Sequence, residues 1–326
     1  MSSAREFKDA YVLGKTLGNG NFSVVKKCRH KFSKAMYAAK IITFSPENRT
    51  EILPMVKAEV AIIRKLKHPS ILSFVDVYYD LRKAIIITEL AEFGDLHEYI
   101  LNQEKVDENT SRLFALEISS AVNYMHSQNI VHRDIKPENF LLFKKDGCYT
   151  VKLCDFGLAE EVSSFGLNEV CGSPSFVAPE ILEFRPYGLP VDVWSMGIVF
   201  YFLLCKYCPF DHVNLNSKFK MVMSDELQFP SNEWSCISKK AKTLIQKMLV
   251  KVPTCRITAS KVLYDPWFQT PVERQPESTC TEKRTLSLKA AANAVKAAAT
   301  LVHNTPCAQR EDAVMSRKLI ECTLSL

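Results

Sequence analysis

The segment His132-Arg133-Asp134-Ile135-Lys136-Pro137-Glu138-Asn139, followed by Asp155-Phe156-Gly157, concentrates oxygen donors and cations in a short stretch. Asp134 can accept the proton of a substrate hydroxyl, and Lys136 can neutralise charge on a phosphoryl group in flight. Asn139 and Asp155 are hard oxygen ligands suited to a Mg²⁺ that bridges phosphates. Phosphoryl transfer asks for positioning and charge neutralisation more than for covalent help, and these residue types supply both.

Two further stretches suit a polyphosphate. Leu17-Gly18-Asn19-Gly20-Asn21-Phe22-Ser23-Val24-Val25 lies between two β-rich runs. Its glycines let backbone amides approach phosphate oxygens that a Cβ would keep away. Ser23 stands where a third glycine is usual, and a strand rather than a helix follows, which argues against a dinucleotide fold. Lys40, in Ala38-Ala39-Lys40, can hold α- and β-phosphate oxygens if a carboxylate fixes it. Glu59 is the candidate partner; taken alone, one helical Glu reads as part of a solvated face.

The elements that must position these groups divide the chain. Residues 11–17, 24–28, 36–42 and 84–89 are short β-rich runs separated by Gly, Asn and Lys, and 52–66 has apolar residues at helical spacing. Helical periodicity prevails over 95–268, most clearly at 113–126, 190–204 and 238–250. The expected fold is therefore α+β and bilobal, a small β-rich lobe with one key helix before a larger helical one. Residues 269–285, rich in Pro, Glu, Thr and Ser, read as a linker, and the Ala-rich 287–301 within the 286–326 tail favours helix.

Composition limits the function classes. The 326 residues carry 42 basic and 36 acidic side chains, a net +6 spread along the chain, which gives no reason to expect a nucleic-acid partner. Eleven cysteines without an apolar leader fit reduced thiols and a cytoplasmic or nuclear location. Cys205 and Cys208 form a lone CxxC with no second pair to complete a zinc site. The longest apolar run, 193–205, is too short to cross a bilayer and reads as a buried helix, so no membrane span is expected.

The ordered series of motifs resembles the eukaryotic protein kinases over residues 11–268, with the lobes at 11–91 and 92–268. Ala178-Pro179-Glu180 resembles the end of their activation segment, and Asp192-Val-Trp-Ser-Met-Gly197 the start of their long buried helix. Arg256 matches the arginine that pairs with Glu180 in that family. Phe22-Ser-Val-Val, Tyr37-Ala-Ala-Lys-Ile-Ile, Leu66-Lys-His-Pro-Ser-Ile and Pro186-Tyr-Gly-Leu-Pro-Val-Asp are similar to calcium/calmodulin-dependent protein kinases. Within that group the wording is nearest to the type II enzymes and to the kinase-like module of their membrane-associated guanylate-kinase scaffold relative. That scaffold typically lacks normal metal ligands, whereas Asn139 and Asp155 are both present.

The resemblance implies ATP and Mg²⁺ as cofactors and protein Ser/Thr hydroxyls as acceptors. Lys136 and Gly172-Ser173-Pro174 resemble Ser/Thr-specific rather than Tyr-specific enzymes. Thr88 fills the gatekeeper position, Glu89-Leu90-Ala91 the hinge that bonds adenine through its backbone, and Cys154 lines the nucleotide pocket. Asp95 and Glu138 occupy positions that meet ribose or a substrate arginine, which implies an Arg-x-x-Ser/Thr preference. Glu169 stands where many relatives carry a phosphothreonine, and it is expected to pair with Arg133 and order the segment without an upstream kinase.

Leu288, Val295 and Leu301, with Lys283, Arg284, Lys289 and Lys296, make the tail a candidate calmodulin-binding segment. Arg284-Thr-Leu-Ser287 fits the expected substrate pattern, so Ser287 is a candidate self-phosphorylation site. No calcium-loop pattern occurs. Two other readings are a nucleotide-binding pseudokinase scaffold, opposed by the intact motifs, and a small-molecule phosphotransferase, opposed by the peptide-docking character of 173–180.

Overall fold

A computed structural model describes residues 4–19 and 23–269. The chain opens with α1 (Ala4–Ala10) and continues into β1 (Tyr11–Asn19), β2 (Ser23–His30), β3 (Met36–Thr43), α2 (Arg49–Lys65), β4 (Phe74–Tyr79) and β5 (Lys83–Glu89). The strands form one antiparallel sheet in the order β1-β2-β3-β5-β4. Alternation gives the sheet two apolar layers. Ala39, Ile85 and Ile87 face Phe7 of α1 with Tyr11 and Tyr78, while Ile42, Ala84 and Ile86 face Val56 and Val60 of α2.

The second lobe contains α3 (Leu96–Asn102), α4 (Glu108–Ser127), β6 (Ile130–Val131), the hairpin β7 (Phe140–Lys145) and β8 (Cys148–Leu153), and β9 (Glu160–Glu161). It closes with α5 (Pro179–Leu182), α6 (Pro190–Cys205), α7 (Leu215–Ser224), α8 (Ser231–Trp234), α9 (Lys239–Met248) and α10 (Ala259–Leu263). Asp107 caps α4 by accepting from the amides of Asn109 and Thr110, satisfying donors that a helix start leaves unpaired. Phe114, Ile118, Val122 and Met125 then form one buried stripe of α4. From Val191 to Leu204, α6 is buried on every side, as expected of a core helix with no polar face. Gly197 permits that packing, since a Cβ there would lie 2.9 Å from Leu249 Cδ2 and 3.0 Å from Met248 Cβ.

The α+β, bilobal expectation holds, with corrections to its elements. Helix α2 begins at Arg49 rather than 52 and carries Pro54 inside it, where the missing amide leaves Thr50 O without its helical donor. The β7–β8 hairpin interrupts the stretch read as helical. Its turn is Asp146-Gly147, with φ of 52° and 81°, the left-handed pair that tight hairpins favour. The first lobe also gains β4 and α1, the latter starting before residue 11. No helix among the described residues is long and apolar enough to cross a membrane. The tail 286–326, all of the linker beyond residue 269, and Gly20, Asn21 and Phe22 lie outside the described residues.

Candidate active site

The sheet and α2 together hold the first cluster. On β3, Ala38 and Lys40 fall on the same side as Ile42, the side that α2 covers. Glu59 is buried among the apolar residues of α2. Lys40 Nζ lies 2.8 Å from Glu59 Oε1 and 3.0 Å from Asp155 Oδ1. Burial works against the Lys40 charge, but Asp155 and Glu59 outweigh it and hold the ammonium firmly protonated. Lys40 in turn lowers the Asp155 carboxyl from 3.8 to about 2 against the cost of burial. A residue from each lobe thus meets on one amine.

The second cluster depends on a carboxylate buried at the start of α6. Asp192 accepts from the amides of His132 at 2.8 Å and Arg133 at 3.0 Å, and its Oδ2 lies 3.0 Å from His126 Nε2. Burial would raise the Asp192 carboxyl, but its contacts with His126 and His132 lower it on balance. The loop it holds is strained, with Arg133 at φ 68°. Asp134 emerges from this loop already engaged. Its Oδ1 accepts from Ser173 N at 3.1 Å and Ser173 Oγ at 2.7 Å, and Lys136 Nζ approaches Oδ2 to 2.6 Å. Asn139 Nδ2 donates to Asp134 O at 2.8 Å and Oδ2 at 3.1 Å. Lys136 Nζ also donates to Ser173 Oγ at 2.9 Å.

These groups fit a nucleotide with a divalent cation. Asn139 commits its amide nitrogen to Asp134, which leaves its oxygen available as a hard donor, and Asp155 is held ionised. No group of three or more His, Cys, Asp and Glu side chains among the described residues could hold a metal alone. Two protein ligands suit Mg²⁺ only when phosphate oxygens and water complete its shell. On β1, Gly18 pairs with Val25 of β2, and among the described residues, its two chain neighbours aside, no atom stands within 4 Å of where a Cβ on Gly18 would sit. Leu17, Asn19 and Ser23 flank that open space along β1 and β2. Thr88 lies directly across from Ala38 in the β3–β5 register.

Other expected site residues are placed with varied partners. Asp95 caps α3 by accepting from Glu98 N at 2.8 Å, so one of its oxygens is already used. Glu138 is exposed in the turn Pro137–Asn139. Burial pushes the Cys154 thiol up, and its backbone amide donates to Asn139 O at 2.8 Å. The Glu89 side chain bonds Ser73 and Lys152, whereas only its backbone was expected to matter; Ala91, like Leu90, is half-buried just beyond β5. Cys205 and Cys208 are pushed up to about 12, chiefly by burial. The anchoring by Asp192 and the grip of Ser173 on Asp134 were not foreseen. A lone acid at the head of an apolar helix was the available signal for the first, because such a group must be bonded inside.

The segment leading to α5 is tied to the same loop. Arg133 Nε donates to Leu158 O at 2.6 Å, its Nη1 reaches Glu169 Oε2 at 3.1 Å, and its Nη2 reaches Glu160 Oε2 at 2.9 Å. Gly172 adopts φ 106°, and a Cβ there would stand 2.6 Å from Arg133 O, so the close passage of these two loop segments requires glycine. Glu180 and Arg256 form a buried two-pronged pair at 2.7 and 2.9 Å.

A family model described as "Protein kinase domain" matches residues 11–268. The serine/threonine-protein kinase DCLK3 of Homo sapiens is 40% identical over 263 residues, covering 80% of this chain and 40% of that protein. The serine/threonine-protein kinase DCLK1 of Rattus norvegicus is 39% identical over 262 residues, 79% of this chain and 60% of its own length. For DCLK2 of Homo sapiens the identity is 38% over 269 residues, 82% and 35%. The chain thus spans less than two thirds of the length of these relatives. They agree with the calcium/calmodulin-dependent group expected from the sequence, but not with its type II enzymes in particular.

Proposed function

The chain belongs to the protein kinase family, and from that premise we propose that it transfers the γ-phosphoryl group of Mg²⁺-ATP to Ser/Thr hydroxyls of proteins. The observation that carries this reading is the meeting of Lys40 with Glu59 and Asp155, beside an Asp134 presented by a braced loop. Glu59 orients Lys40 toward the α- and β-phosphates. Mg²⁺, when bound, neutralises phosphate charge, and Asn139 and Asp155 are its protein ligands. Asp134 aligns the acceptor hydroxyl and takes its proton, while Lys136 stabilises charge on the group being transferred. Leu17 to Ser23 and Val25 cover the phosphates and ribose, and Ala38, Thr88, Glu89, Ala91 and Cys154 line the adenine side.

Asp95 and Glu138 support an Arg-x-x-Ser/Thr preference, since guanidinium pairs well with free carboxylate oxygens. The basic, apolar spacing of the tail supports binding of calcium-loaded calmodulin and relief of self-inhibition through that segment. The decisive experiment follows phosphate from γ-labelled ATP to Ser/Thr peptides in the wild type and in Asp134→Asn. Transfer lost by about a hundredfold or more in the variant supports the reading. No transfer by the wild type, with nucleotide bound, overturns it in favour of a scaffold. Titration of a tail peptide with calmodulin and Ca²⁺ tests the regulatory part.

A further inference from the structure

Strand alternation turns the Glu89 side chain to the opposite side of β5 from Thr88. There its Oε1 accepts from Ser73 N at 2.7 Å, and Lys152 Nζ lies 2.8 Å from Oε1 and 2.7 Å from Oε2. Both side chains are largely shielded, at 20% exposure for Lys152 and 25% for Glu89. The Lys152 ammonium also stands 4.7 Å from the centre of the Phe143 ring. That environment strengthens a charge-assisted bond beyond what an exposed surface pair achieves.

The pair joins two pieces of backbone that serve the same ligand. Glu89 ends β5, where the hinge begins, whereas Lys152 lies on β8, three residues before Asp155. Residues 70–73 run between them. Leu72 N donates to Leu153 O at 2.9 Å, Leu153 N to Ser70 O at 2.9 Å, and Glu89 N to Ser73 O at 3.0 Å. The far side of β8 is fixed as well, with Val151 N donating to Glu117 Oε2 of α4 at 2.8 Å. Main-chain bonds therefore hold the connecting strap to each strand, and the Glu89–Lys152 pair is the one ion pair recorded directly between those two strands among the described residues.

We propose that Lys152 is a positioning residue for the nucleotide: through Glu89 it holds the hinge at a fixed distance from Asp155. The inference rests on the nucleotide-binding reading given above. Adenine at the hinge and phosphate-bound metal at Asp155 are two ends of one molecule of limited reach, so a drift in their separation costs nucleotide affinity. Peptide docking at 173–180 uses other elements and should be insensitive to it.

The test uses the full chain with Lys152→Met, Glu89→Gln, the double variant and Lys152→Arg. Dissociation constants for a fluorescent ATP analogue with Mg²⁺ are measured beside KM values for ATP and for peptide. Each single loss should weaken nucleotide about tenfold, as expected for removing a charged hydrogen bond, and leave peptide KM unchanged. The double variant should be no worse than either single one, and Lys152→Arg should recover most of the affinity. Unchanged nucleotide affinity, additive losses, or an equal rise in peptide KM would overturn the inference alone. A wild type that binds no nucleotide would overturn the functional reading and this inference with it. Glu89→Gln, which keeps size and the bond from Ser73 N but removes the charge that holds Lys152, preserves the test should Lys152→Met fail to fold.

Discussion

Glu169 reaches Arg133 at 3.1 Å, and Glu160 holds the other side of the same guanidinium at 2.9 Å. Tyr187 closes the arrangement, with its hydroxyl 3.3 Å from Arg133 Nη1. Three groups from the segment that follows Asp155 thus converge on the residue next to Asp134. A carboxylate already occupies the place where the resemblance led one to expect an added phosphate.

Glu169 is 62% exposed on its side chain, so solvent screens the pair and its contribution is about 0.2–1 kcal/mol. Glu169→Ala should therefore lower kcat/KM by only about two- to fivefold. Removing Glu160 as well should deepen the loss to about tenfold or more, since Arg133 is then left buried without a carboxylate. Steady-state assays on unphosphorylated protein check this, and full activity in both variants removes Glu169 from any ordering role.

Arg256 is fully buried and Glu180 nearly so, and the guanidinium lies over Trp194 at 5.2 Å. Breaking the pair from one side strands a charge. Glu180→Gln or Arg256→Met should destabilise the second lobe by about 3–5 kcal/mol. The double variant should cost less than the sum of the two, as measured by urea unfolding.

Asp155 has its carboxyl lowered from 3.8 to about 2, with Lys40 as the main cause. A depressed value means that the ionised form is favoured in the folded state. Its stabilisation is complete above pH about 4 and disappears as pH falls toward 2. Urea midpoints measured between pH 6 and pH 3 should fall more steeply for the wild type than for Asp155→Asn. Parallel curves would show that the Lys40 contact does not contribute to folding.

Cys236 is exposed, and Lys105 Nζ stands 3.2 Å from its sulfur. That hydrogen bond, followed by one from Ser235, lowers the thiol, which enlarges the thiolate fraction near neutral pH. Lys105→Met should slow alkylation of Cys236 by iodoacetamide about threefold. Peptide mapping by mass spectrometry follows the rate, and equal rates in both proteins would show that the lysine has no effect.

What the sequence discloses about this site depends on how local the cause is. Asp134, Lys136, Asn139 and Asp155 lie close together in the chain, and their types alone specify oxygen donors and cations for phosphate chemistry. The Lys40–Glu59 partnership was legible because one residue sits on a strand and the other on a helix of evident period. By contrast, the attachment of His132 and Arg133 to Asp192 spans about sixty residues, and nothing in residue spacing encodes it. Hairpin β7–β8 was hidden for another reason: its apolar residues sit among helical segments, and only Asp146-Gly147 betrays the reversal. The partners of the Glu89 side chain, Ser73 and Lys152, lie 16 and 63 positions away, and no local pattern in the sequence marks them.

The protein kinase domain match begins at residue 11, yet Phe7 is buried, stacked 5.5 Å from Tyr11 and edge-on to Tyr78 at the same distance. Anyone trimming the protein to its homologous span would cut through this aromatic sandwich and leave two tyrosine rings wet. Such a fragment should be sticky and short-lived in solution, and its poor behaviour would be misread as a fault of the catalytic half. The proper boundary lies where the rings close, several positions earlier than homology draws it.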